Sequence, residues 1–143
     1  MSVGWYRHFL AQILYTMQKQ KFTSEFMLKG SSLSSIWNLI STPGGLASWF
    51  APMVSADNDL YTFRWSKTEM RQARLTHART NLYIRFHWMD EEPYTYFELR
   101  IVQNAVTQHL VLEITDWAEP DDLQDIQDLW AADVEKLRRI GGL

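Results

Sequence analysis

The residues best suited to moving a proton near neutral pH are four histidines: His8, His77, His87 and His109. None shares a helical segment with a second histidine or a carboxylate at metal-ligand spacing, so no metal site is expected. Alternation places His87 opposite Phe86 and Trp88, and His109 opposite Leu110 and Leu112, both toward solvent. His77 shares a face with Ala73 and Leu75 and is the histidine expected to point inward. Arg71 lies on that same face, where a guanidinium can grip a carboxylate or another anion through two parallel hydrogen bonds. The plainer reading of Arg71 is an edge-strand arginine whose head reaches water. Tyr61 and Tyr96 complete the set of ionisable groups available to an enzyme, and no spacing aligns the four. There is no cysteine, which excludes a thiolate nucleophile, a thiolate metal site and a disulfide. Gly44-Gly45 opens a helix rather than cradling a phosphate, and Ser31–Ser35 holds no nucleophile elbow. No catalytic residue, metal or cofactor is therefore expected.

The aromatic residues are the unusual component. Seven Trp, seven Phe and six Tyr stand in 143 residues, enough to fill a core and still line a pocket. The net charge of −3 argues against a general nucleic-acid binder. No apolar run reaches the roughly 20 residues that a membrane-spanning helix needs. The lack of cysteine suits a reducing compartment, so a cytoplasmic location is expected. Basic residues gather in the middle of the chain, from Arg64 to Arg85, and acidic ones from Glu113 to Asp128. This split is read either as a patch for an acidic partner or as a solvated sheet face followed by an acidic helix start.

These side chains must be positioned by elements that the pattern makes legible. Phe22, Ser24, Phe26 and Leu28 alternate, as in a half-buried strand over 19–29. Ser31 or Ser32 then caps a helix carrying Leu33, Ile36, Trp37 and Ile40. Thr42-Pro43 ends that helix and starts a short second one bearing Leu46, Trp49 and Phe50, which Pro52 stops. From Val54 to Asp116 the period is two, with turns at Asp57-Asn58-Asp59, Thr80-Asn81, Asp90–Pro93 and Gln103-Asn104-Ala105. Strands this short, joined by tight turns, imply an antiparallel meander. A last helix begins at Pro120-Asp121, with Gln124 placed as in a capping box. It runs to Gly141-Gly142 with Leu123, Ile126, Trp130, Val134, Leu137 and Ile140 on one stripe. The fold class is α+β: about seven antiparallel strands in the order β-α-α-β6-α, wrapped around the terminal helix. Its domain spans 17–143; residues 1–16 form an extension, and Met17 is a candidate natural start.

That order resembles the START-like superfamily, the helix-grip or SRPBCC proteins, and within it the bacterial relatives of the activator of the heat-shock chaperone ATPase. The similarity covers 19–140. It is carried by Ile36-Trp37, Ser41-Thr42-Pro43, Gly45-Leu46 and Trp49-Phe50-Ala51, then by Phe63, Trp65 and Ala73. The chain departs from the family's larger members in lacking a second domain or an iron–sulfur domain. The resemblance implies a cavity between the concave sheet and the last helix. By position, Trp37, Trp49, Phe50 and Met53 would line its mouth, Phe63, Trp65, Phe86 and Trp88 its sheet wall, and Trp130 and Val134 its helix wall. Arg71 and His77 would add polar groups. Aromatics alternating along a strand are more often plain core, so a cavity of at least about 300 Å³ is the deciding observation. The expected function is non-enzymatic binding of a small apolar ligand. A co-chaperone-like protein-interaction module and a cyclase- or hydrolase-like enzyme are the alternatives.

Overall fold

The computed structural model describes residues 18–30 and 32–143, together with Arg7 and Leu10. Most of the expected extension over 1–16 therefore lies outside the described residues, as does Ser31. β1 (Gln20–Leu28) alternates as its sequence predicts, with Phe22, Ser24 and Phe26 half-buried and Leu28 fully buried. Ser32 caps α1 (Leu33–Ser41), its hydroxyl accepting from the Ser35 amide at 3.2 Å. Thr42 ends α1 and starts α2 (Pro43–Ala47) with one side chain. Its hydroxyl donates to the Asn38 carbonyl at 2.7 Å and accepts from the Gly45 amide at 2.9 Å. That double role joins the two helices without a linker.

Six strands follow: β2 (Met53–Asp57), β3 (Leu60–Arg64), β4 (Met70–Arg79), β5 (Tyr83–Trp88), β6 (Phe97–Gln103) and β7 (Leu110–Ala118). With β1 they form one antiparallel sheet in the order β1-β7-β6-β5-β4-β3-β2. The meander is consecutive except that β1 lies beside β7, so α1 and α2 carry the chain from one sheet edge to the other. Three hairpins turn on left-handed residues, Asn58, Asn81 and Gln108. Asparagine accepts this conformation at low cost, which is why the first two turns are readable from sequence. The turn at Gln108 is held instead by Asn104, whose side-chain oxygen accepts from the amides of Val106 and Thr107.

A short 3-10 turn (Pro120–Asp122) leads into α3 (Leu123–Gly141), whose end is closed by Gly142 in the left-handed region, φ 66°. The expected capping box does not form: Asp122 precedes the helix without a side-chain cap, and Gln124 donates to Asp128 one turn on. Trp130, Val134 and Leu137 of α3 are buried in the same core as Ile36, Leu46, Phe63, Phe86, Phe97 and Ile114. Ile140, the last member of the predicted stripe, is exposed. The whole is the curved sheet gripping a terminal helix that the sequence predicts.

Candidate functional site

The inward face of the sheet divides into a closed part and an open part. In the closed part, Tyr61, Phe63, Phe86 and Phe97 meet ring against ring, with centroids 4.9 Å apart for Tyr61 and Phe86 and 5.2 Å for Phe86 and Phe97. Phe63, Phe86 and Val134 are fully buried there and line no cavity. This corrects the expectation for all three: interlocked rings leave no gap between them. Tyr61 is closed off as well, its hydroxyl donating to the Ser41 carbonyl at 3.2 Å.

Toward α3 a cavity of about 730 Å³ opens beside these rings. It lies among the end of α2, the β3–β4 turn, the β5–β6 loop, β7 and the first turns of α3. Of the residues expected from the sequence, Trp49, Phe50, Trp65, Arg71, Trp88 and Trp130 line it. Phe50 is the hub of this wall, contacting Trp130 at 5.4 Å and Trp65 at 5.9 Å between centroids. Backbone carbonyls fix two of the indoles, Trp49 donating to Leu39 at 2.8 Å and Trp65 to Phe50 at 3.1 Å. Trp37 packs half-buried against the core and does not reach the cavity. Met53 is 63% exposed and lines a separate recess of about 310 Å³ beside Arg64 and Lys67.

His77 is corrected by a single bulge. Leu75 pairs with Phe86, but His77 pairs with Arg85, so one extra residue inverts the alternation between them. His77 therefore faces outward, exposed, with Nδ1 3.1 Å from the Thr76 hydroxyl. His87, expected in solvent, is half-buried, with Nδ1 2.7 Å from the Thr95 carbonyl oxygen. The four groups considered for catalysis do not converge: Arg71 and Tyr96 line the cavity, while Tyr61 and His77 do not. The basic strand residues find partners too, Arg74 pairing with Asp59, and Arg85 and Arg100 both reaching the buried Glu98. Of the basic run, Arg71, Arg74 and Arg85 are thus paired within the sheet, while Arg64, Lys67 and Arg79 form no ion pair among the described residues. No group of three or more metal-ligating side chains occurs among the described residues.

The polar floor of the cavity is what sequence reading missed. Arg71 lies over Trp88, 4.0 Å from the ring centroid, and donates to both carboxylate oxygens of Asp90 at 3.1 and 2.8 Å. It also reaches Glu91 at 3.2 Å, and Glu91 pairs with Lys19. Arg71 is therefore neither free for an anion nor simply extended into water. Asp116 accepts from Trp130 Nε1–H at 2.8 Å and from the Trp117 amide at 2.7 Å. Burial pushes its carboxyl up to about 6, against the pull of those two donors. Asp133, 3.7 Å from Lys136, is likewise pushed up to about 6 by burial. One signal was available: Leu112, Ile114 and Asp116 continue a single alternation, which puts a carboxylate on an apolar face. Trp117 and Tyr96 also line the cavity; Trp117 stands edge-on to Tyr94 and Tyr96, and its buried Nε1–H has no partner among the described residues.

A seven-stranded meander closed by a gripping helix, with a cavity at the helix start, defines a protein class, and comparison with known families agrees. The chain belongs to the START-like superfamily, whose domain model matches residues 16–143. Among solved structures, a Bacteroides fragilis protein determined by NMR in solution is 45% identical, with 87% of this chain and 92% of that one aligned at a TM-score of 0.62. An Aha1 dimer from Colwellia psychrerythraea is 17% identical over 85% of this chain and 96% of that one, TM-score 0.70. CalU16 from Micromonospora echinospora is 13% identical over 87% and 76%, TM-score 0.66. The last two likenesses are of fold alone. No curated protein matches the chain.

Proposed function

We propose that this chain is a non-enzymatic binding protein that holds a small, mainly apolar molecule between its sheet and its terminal helix, in the cytoplasm. The observation that carries the reading is the cavity. Its volume of about 730 Å³ lies within the roughly 300–1,000 Å³ of small-molecule sites. Its walls suit such a guest, because packed indole and phenyl rings, with the Trp49 and Trp65 indoles fixed by backbone bonds, offer apolar area at little entropic cost. The four groups on which the enzyme alternative rested, Arg71, His77, Tyr61 and Tyr96, do not converge, and the pairing of Arg71, Arg74 and Arg85 weakens the motive for an acidic protein partner.

Five of the seven tryptophans line the cavity, so intrinsic fluorescence reports its occupancy directly. A panel of lipids and aromatic compounds is expected to contain at least one that quenches this fluorescence and raises the melting temperature. Ala47→Phe, which fills part of the cavity beside α2, is expected to weaken that compound about tenfold. A panel in which nothing moves either signal would overturn the reading.

A further inference from the structure

Resting on the reading of the cavity as a ligand site, we propose that the ligand carries a positive charge: an ammonium or amidinium group on an apolar frame, held by Asp116 with Asp133 one helical turn beyond Trp130.

The charge inventory of the cavity supports this. Among the described residues, its cations are Lys19, Arg71 and Lys136. Arg71 gives three hydrogen bonds to Asp90 and Glu91, and Lys19 is paired with Glu91. Lys136 stands 3.7 Å from Asp133, but 55% of its side chain is in water, which screens the attraction. Four carboxylates line the cavity with these three cations, Glu91, Asp116, Asp133 and Glu69 on the β3–β4 turn, and a fifth outside it, Asp90, pairs with Arg71. Lys19 and Arg71 attract Asp116 from a distance, but both are paired elsewhere; its direct partners are two neutral N–H donors, and it forms no ion pair among the described residues. Burying an ionised carboxylate without a counter-ion is unfavourable, and a cationic guest would relieve the imbalance. An anionic guest would add to it.

The walls select in the same direction. The face of an indole attracts cations, and the guanidinium of Arg71 already lies 4.0 Å from the Trp88 centroid. An organic cation entering from solvent meets the half-buried Trp65 beside it and the Trp130 indole that holds Asp116. The carboxyls of Asp116 and Asp133 are both pushed up to about 6, so each is ionised above neutrality and takes up a proton in mild acid.

Three matched probes test the assignment: naphthylethylamine, naphthylethanol and naphthylpropionate, titrated calorimetrically into the full chain at about pH 7.5. The amine is expected to bind at least about tenfold more tightly than the alcohol, with the acid weakest. Asp116→Asn and Asp133→Asn are each expected to reduce the amine-to-alcohol ratio several-fold. Should Asp116→Asn fail to fold, Asp133→Asn decides alone. An alcohol that binds as tightly as the amine, a preferred acid, or a ratio untouched by substitution overturns the charge assignment and leaves the apolar site standing. If none of the three binds, the charge assignment falls, and the cavity reading is decided separately by the lipid and aromatic panel.

Discussion

Asp116 shows how one carboxylate can oppose folding while helping to shape a site. Its pKa near 6 in the folded chain compares with an ordinary 3.8. Between those values the folded state holds a proton that the unfolded state has released. Stability from this group is therefore greatest in acid and falls as pH rises from about 4 to about 6. Asp116→Asn removes the titration but leaves one of two N–H donors without its acceptor, a loss of about 1 kcal/mol at any pH. Going from about pH 4 to pH 7, the variant is expected to gain about 1–3 kcal/mol relative to the parent. Urea unfolding of both proteins at the two pH values checks this; a pH-independent difference would assign the shift elsewhere. Asp133 titrates in the same range but is common to both proteins, so its contribution cancels.

At the scale of elements, the joint between α1 and α2 leaves no room for a side chain at Gly45. A Cβ on Gly45 would lie 2.0 Å from the Asn38 carbonyl oxygen and 2.7 Å from the Leu39 Cα, both backbone atoms that cannot rotate away. Gly45→Ala is expected to destabilise the chain by at least about 2 kcal/mol, by forcing the two helices apart. A Cβ on the adjacent Gly44 meets nothing within 4 Å. Gly44→Ala is expected to be neutral or to stabilise by up to about 1 kcal/mol, through the unfolded state. Thermal unfolding of the pair distinguishes close backbone approach from a general need for glycine at a helix start. The bulge between Leu75 and His77 is the other decisive local feature, since it turns His77 out and leaves Arg71 in.

For the molecule as a whole, α3 serves two purposes. Val134 and Leu137, fully buried, close the core, while Ile126, Leu129, Trp130, Asp133 and Lys136 form a cavity wall. Leu137→Ala is expected to cost about 2–5 kcal/mol of stability, as for any fully buried leucine. Leu129 is 66% exposed, and Leu129→Ala is expected to change stability by no more than about 0.5 kcal/mol while weakening any ligand that fluorescence detects. Chemical denaturation and ligand titration on both variants separate the two roles. A Leu129→Ala protein with unchanged affinity would place the ligand away from the helix.

The sequence makes legible the order of elements, the antiparallel meander and the helix that must be buried. Each follows from a local period: two along Tyr83–Trp88, about 3.6 from Ile126 to Leu137, broken by Pro43, Asn58 and Asn81. Of the twelve residues it singles out, six lie on the wall of the cavity. Tertiary structure decided which aromatics fill space and which enclose it, because Phe63 and Trp65 share one alternation and differ only in what stands opposite. It decided the direction of His77, since a bulge is one residue of register invisible to periodicity. And it decided the charge of the cavity: whether Arg71 is free or Asp116 lacks a counter-ion depends on side chains brought together from distant parts of the chain, and no spacing along the sequence records those distances.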